Sequence, residues 1–271
     1  MVGPRPSANA STATLATPTV KSASPNEPNG QNVTPLHVAA ATCGTHEQSE
    51  DVVHVLLSRG GDPNVMDKRG LSPLHMLAAA RLSQSNMTAH NESSPGKRLA
   101  DACVASGAQL DLQTRAGNKM TALHIAVENN NYELANAIVR NGGAVSIPDS
   151  AGRCALGMCV GHAREVNVRR SLLLSNVTKA PYWVPDDALS NCMECGSEFS
   201  FSRRRSHCRH CGRLVCRSCA PKKSKIIKLG EAKPVRVCNL CLDVLTNPTT
   251  ITNVGAGGEG GGQNGFPTAG R

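Results

Sequence analysis

The chain lacks the apolar run of about eighteen residues that a membrane-crossing helix needs, and nothing in it looks like a secretory signal. Any membrane residence is therefore expected to be reversible, and the compartment is expected to be reducing, so thiols stay out of disulfides. The marks of a catalyst are also missing. No Gly-rich loop of nucleotide-binding form is present, no nucleophile stands beside a recognisable base, and the acids form no metal or acid–base cluster. A non-enzymatic protein is the expectation. No heptad run suggests a coiled coil. The two ends lack the residues a core requires: residues 1–30 are dominated by Ser, Thr, Pro, Ala and Asn, and residues 246–271 are rich in glycine. Both are expected to be disordered tails. Arg5 and Lys21 are the only basic residues of the first, and without an amphipathic repeat it does not read as a transit peptide. Phenylalanine is scarce, and two of the three in the chain fall at Phe199 and Phe201.

What the chain has in quantity is paired cysteine. Cys192/Cys195, Cys208/Cys211, Cys216/Cys219 and Cys238/Cys241 form four CxxC pairs, separated by gaps of twelve, four and eighteen residues. Each pair sets two thiolates about one turn apart, so two pairs complete a tetrahedral four-cysteine zinc site. The four-residue gap is too short for its flanking pairs to close comfortably on each other. An interleaved cross-brace follows, with Cys192, Cys195, Cys216 and Cys219 on one Zn2+ and Cys208, Cys211, Cys238 and Cys241 on the second. Such closed sites keep no position for water, so the two metals are expected to be structural. His207 and His210 are spare, because eight cysteines already fill eight places. The metals stand in for a hydrophobic core in a segment of about sixty residues, near the lower limit of independent stability.

The residues around these ligands resemble the FYVE zinc fingers, from about Tyr182 to Val244. Trp183-Val184-Pro185-Asp186 is similar to the family's WxxD element. Arg204-Arg205-Ser206-His207-Cys208-Arg209 is similar to its basic strand, and Arg236-Val237-Cys238 to its closing RVC. The resemblance implies recognition of phosphatidylinositol 3-phosphate on endosomal membranes without catalysis. It places Arg204, Arg205, His207, Arg209 and Arg236 around the phosphates and Asp186 on the ring hydroxyls. Arginine forks match phosphate oxygens, and a carboxylate accepts from hydroxyls, so the chemistry suits those roles. Strand alternation alone would send Arg205, His207 and Arg209 to one face and Arg204 to the other.

Ser206 departs from the family pattern, since it stands where the first of two adjacent histidines is usual. A short hydroxyl replaces a group that titrates near neutral pH, so weaker or less selective lipid binding is expected, with a shallow pH dependence carried by His207. Phe201 and Ser202 align with the family's membrane-inserting loop, and an aromatic beside cations suits an anionic bilayer. Phe199 is expected in the small core.

The formal net charge of +9 says less than its placement. Residues 180–245 carry twelve Lys and Arg against six Asp and Glu. Eight thiolates against two Zn2+ leave the loaded domain at only about +2. Two local basic stretches remain, Arg203 to Arg209 and Lys222 to Lys228. The second reads as a solvated or membrane-facing edge rather than a nucleic-acid patch, and no nucleic acid is expected as a partner.

Upstream the chain repeats itself. Thr34-Pro35-Leu36-His37, Ser72-Pro73-Leu74-His75 and Thr121-Ala122-Leu123-His124 are copies of the TPLH element of ankyrin repeats, and Cys154-Ala155-Leu156-Gly157 is a degenerate fourth. The starts lie thirty-eight, forty-nine and thirty-three residues apart, so the first two intervals carry insertions, near 42–50 and 81–96. The recurring His37, His75 and His124 read as scaffold hydrogen bonders at helix ends. Cys43, Cys103, Cys154 and Cys159 lack ligand spacing and receive no function. A stack of four repeats over 31–178 buries a continuous core and is expected to hold a protein partner that the sequence does not name.

The expected architecture is multidomain: an all-α ankyrin-repeat solenoid, then a small zinc-stabilised α+β cross-brace domain over 180–245, with disordered termini. The expected function is a cytoplasmic adaptor, peripheral on endosomal membranes. Two alternatives use the same scaffold. One is a RING-like ubiquitin ligase module, although a RING normally carries a histidine ligand in a Cys-x-His pair and all eight ligands here are cysteine. The other is a FYVE-related domain that has lost lipid selectivity and acts in protein contacts.

Overall fold

The computed structural model describes residues 23–46, 48–80 and 94–247. Three TPLH-like signatures each open a helix, for reasons contained in their four residues. Thr34, Ser72 and Thr121 are extended and stand just before α1 (Pro35–Thr42), α3 (Pro73–Ala79) and α5 (Ala122–Glu128). Proline starts α1 and α3, where its missing N–H leaves nothing unpaired. The histidine then closes the first turn. His37 Nδ1 accepts from the Thr34 amide at 3.1 Å and lies 2.8 Å from the Thr34 hydroxyl. Since Nδ1 faces an N–H it must accept, so Nε2 carries the proton and donates to the Leu71 carbonyl at 3.0 Å. His75 repeats this with Ser72 on one side and the Leu112 and Met120 carbonyls on the other. His124 does so with Thr121 and the Arg153 carbonyl. Each ring therefore fastens one repeat to the loop that leads into the next. Burial lowers the pKa of all three, which keeps them neutral.

The helices form two layers. One runs α1, α3, α5 and then a 3-10 turn at Ala155–Met158; the other runs α2 (Ser49–Ser58), α4 (Pro95–Ala105), α6 (Tyr132–Arg140) and α7 (Ala163–Ser175). Leu36, Leu74, Leu123 and Leu156, the leucines of the four signatures, are all buried between them. The fourth signature forms a 3-10 turn, and Gly157 stands where the other three carry the histidine that closes the first turn.

Helix starts also refine the insertions. α2 begins at Ser49, so only residues 43–48 separate it from α1. α4 begins at Pro95, inside the segment read as an extension, with the Ser94 hydroxyl accepting from the Lys97 amide. Residues 81–93 of that segment, the N-terminal tail up to residue 22 and residues 248–271 lie outside the described residues. Residues 23–30, which composition groups with the first tail, extend the first repeat. The Asn26 side chain donates to the Gly60 carbonyl at 2.8 Å and accepts from the Asp62 amide at 2.7 Å.

The C-terminal domain holds two antiparallel ribbons, β1 (Arg205–His207) with β2 (Leu214–Cys216), and β3 (Lys222–Ile226) with β4 (Glu231–Val237). The helix α8 (Asn239–Thr246) packs on β3 and on α7, so the domain rests against the last unit of the stack. Among the described residues no helix is long and apolar enough to cross a membrane.

Candidate functional site

Two matching turns carry the first cysteine pairs. The Cys192 amide donates to the Ser197 carbonyl at 2.9 Å and the Gly196 amide to the Cys192 carbonyl at 2.8 Å. In the second turn the Cys208 amide donates to Arg213 at 3.1 Å and the Gly212 amide to Cys208 at 2.8 Å. Gly212 has φ of 78°, the left-handed region that favours glycine, and a Cβ there would stand 2.0 Å from the Tyr182 carbonyl oxygen. The third pair starts at Cys216, the last residue of β2, and the fourth opens α8 from Cys238.

The fold interleaves these pairs. Cys192, Cys195, Cys216 and Cys219 form one cluster and Cys208, Cys211, Cys238 and Cys241 the other, with the sulfurs of each within 4.8 Å of one another. Four thiolates at ~2.3 Å from a tetrahedral zinc stand roughly 3.8 Å apart. The Cys195–Cys216 separation is 3.9 Å, so the donor sets fit two Zn2+ ions. Backbone amides support the sulfur charge: Cys216 donates to Cys192 Sγ and Cys238 to Cys208 Sγ, both at 3.2 Å. Hydrogen bonding from Ser197 brings the Cys195 thiol down to about 6. His210 belongs to neither cluster. It is fully buried, neither ring nitrogen has a hydrogen-bond partner, and burial pushes it down to about 3.

Arg213 is a functional residue that sequence reasoning missed. It is 3% exposed, donates from Nε to Cys211 Sγ and from Nη2 to Cys238 Sγ, each at 3.4 Å, and pairs with Glu194 at 2.6 Å. Four thiolates around one Zn2+ carry two excess negative charges, which a buried guanidinium offsets. Its position within the short gap between two cysteine pairs was the available signal.

The residues expected around a phosphate fall into two groups. His207 and Arg209 gather about Trp183, with Asp186 beside His207. The Arg209 guanidinium lies 3.7 Å over the indole, and the His207 ring stacks on it at 5.1 Å and 22°. His207 Nε2 donates to the Val184 carbonyl at 2.6 Å and is 3.7 Å from the exposed Asp186 carboxylate. Arg236 joins through the backbone, its carbonyl accepting from the Arg209 amide at 2.9 Å, while its guanidinium donates to Ala220 at 2.5 Å. Arg204 and Arg205 make other contacts. Arg205 lies 4.8 Å over Phe199 and donates to Leu189, whereas Arg204 lies 5.1 Å over Phe201 and donates to its carbonyl.

Alternation along a strand therefore governs fewer residues than expected. β1 spans only Arg205 to His207; Arg204 precedes it and Arg209 sits in the following cysteine turn. The turn, not the pleat, sets the Arg209 direction. Phe199 is 8% exposed and Phe201 89%, so the two phenylalanines divide between core and solvent. The Ser200 hydroxyl accepts from the Arg203 amide at 3.1 Å, closing a tight turn with Phe201 and Ser202 at its tip.

Residues 182–247 match the FYVE zinc finger family, and residues 31–68 and 118–150 match the ankyrin repeat family. Rabankyrin-5 of Mus musculus is 36% identical over 185 residues, covering 68% of this chain and 14% of that protein; the Homo sapiens protein gives the same figures. Zinc finger FYVE domain-containing protein 9 of Homo sapiens is 44% identical over 75 residues, 28% of this chain and 5% of that one. The chain thus spans only a small part of these relatives. Its two-layered helical stack and its pair of interleaved four-cysteine clusters meet both family matches in order along the sequence, and the chain is an ankyrin-repeat protein carrying a FYVE zinc finger.

Proposed function

We propose that this protein is a non-catalytic adaptor whose FYVE domain reads phosphatidylinositol 3-phosphate on endosomal membranes while its ankyrin stack holds a protein partner. The observation that carries the reading is that Arg209 and His207 converge on one exposed indole, Trp183, with the Asp186 carboxylate beside His207, in the same small domain as the bare Phe201 tip. In this reading Arg209 and His207 bind phosphate oxygens, with Arg236 behind them, and Asp186 accepts from ring hydroxyls. Arg204 and Arg205, held over the two phenylalanines, reach the anionic surface around the inserted tip.

Two Zn2+ supply no chemistry beyond fixing the fold. Cys192, Cys195, Cys216 and Cys219 would hold the first and Cys208, Cys211, Cys238 and Cys241 the second. Flotation of the zinc-loaded chain with vesicles tests the function. Vesicles bearing phosphatidylinositol 3-phosphate should recover the protein, and vesicles with equal charge from phosphatidylserine should not. Equal recovery on both would refute the reading.

A further inference from the structure

The single tryptophan of the chain lies at the very start of the zinc domain, where the joining segment enters it, and that segment is gripped from both sides. On the ankyrin side, the Ser146 hydroxyl donates to the Tyr182 carbonyl at 2.6 Å, and Ser146 is 0% exposed. On the zinc side, the Val184 amide donates to the Gly212 carbonyl at 3.3 Å, while His207 Nε2 donates to the Val184 carbonyl at 2.6 Å. The residues on each side of Trp183 are thus held by different domains.

These contacts meet at one point. A Cβ at Gly212 would fall 2.0 Å from the Tyr182 carbonyl oxygen and 2.9 Å from Ser146 Oγ, so the cysteine turn, the joining segment and the ankyrin hydroxyl are in direct contact. The rest of the seam keeps the domains in one orientation. Lys228 Nζ donates to the Ser175 carbonyl at 3.1 Å and the Leu174 carbonyl at 3.4 Å, and a Cβ at Gly152 would touch the Leu189 side chain at 2.8 Å. Beside Tyr182 lies a cavity of about 240 Å3, lined also by Asp111, Val145 and Lys179. The segment has room to move once its carbonyl is released.

We propose that Ser146, an ankyrin residue, is a positioning residue of the lipid-headgroup site. Its hydroxyl fixes the Tyr182 carbonyl, which sets the Trp183 ring under Arg209 and against His207, so the end of the ankyrin stack and the headgroup site are coupled. The coupling rests on the lipid reading above, whereas the clamp on Trp183 does not. Losing this hydrogen bond should weaken headgroup binding by about five-fold, the low end of ordinary coupling between two sites. Coupling of this kind is reciprocal.

The test uses the full zinc-loaded chain and the emission of Trp183. Ser146→Ala should shift the emission to longer wavelength and raise its quenching by acrylamide, and should weaken binding of soluble inositol 1,3-bisphosphate by about five-fold. Lys228→Met loosens the seam elsewhere; it should lower the melting temperature while leaving both the Trp183 spectrum and headgroup affinity unchanged. In the unaltered chain, inositol 1,3-bisphosphate should slow amide exchange at residues 144–148 as well as at 183–186. That measurement decides the matter even where a variant fails to fold. An unchanged Trp183 spectrum in folded Ser146→Ala, unchanged affinity, or unaltered exchange at 144–148 on binding would overturn the inference. A shifted spectrum in a chain that binds no headgroup even when unaltered would uphold the clamp and overturn the lipid reading.

Discussion

In the ankyrin stack, Leu36, Leu74, Leu123 and Leu156 recur at one repeat position and are all buried, whereas in the zinc domain the largest fully buried apolar side chains are Leu214 and Ile226. The stack buries aliphatic surface over two layers of helices. The zinc domain, with strands of three to seven residues, surrounds its metals with eight cysteines, six of them buried. Polar groups differ in the same way. Buried histidines in the stack are neutral and fasten one repeat to the next, while the titratable cluster of the zinc domain needs metal to hold its thiolates together. Two sources of stability thus share one seam, where α7 meets α8.

Removing zinc should break this comparison most severely. A structural zinc site contributes roughly 10–16 kcal/mol, so chelation should unfold residues 182–247 outright. Circular dichroism should retain the helical signal of the stack, and metal analysis before chelation should find two zinc ions per chain. Next in size is Leu123→Ala, where the buried leucine of the third repeat is truncated at a cost of about 2–5 kcal/mol. Its melting transition should fall while the metal content stays at two. Acidification should also act on the stack. His37, His75 and His124 are lowered by burial, so the unfolded chain takes up protons below about pH 6.5 that the folded stack refuses. Their contribution is fully present above that pH and declines below it, which thermal melts from pH 7.5 to 5.5 would record. Phe201→Ser should change thermal stability least, because the ring is 89% exposed. It should reduce bilayer recovery in flotation while inositol 1,3-bisphosphate still binds.

Legibility in the sequence followed distance along the chain. The capping role of His37, His75 and His124 was readable because hydroxyl and ring lie three residues apart on the first turn of a helix. Burial of Phe199 beside exposure of Phe201 was readable from residue type and the basic residues nearby. The 3-10 turn at Ala155–Met158 followed only in part, since the missing cap was visible but the shortened helix was not. Strand alternation had little to govern at Arg204 and Arg209, because β1 is only three residues long and these neighbours answer to turns. The docking of Asn26 on the first repeat was hidden, because its partners lie at Gly60 and Asp62.

The sequence by itself determined the four cysteine pairs, the TPLH repeats and hence the two kinds of domain, since spacing within a few residues dictates turn and helix geometry. Tertiary structure alone decided that Arg213 reaches the second thiol cluster, that Arg209 covers Trp183, and that Ser146 holds the carbonyl beside it. These contacts join residues brought together only when separate elements pack. Their direction depends on where each element lands, which no local pattern records.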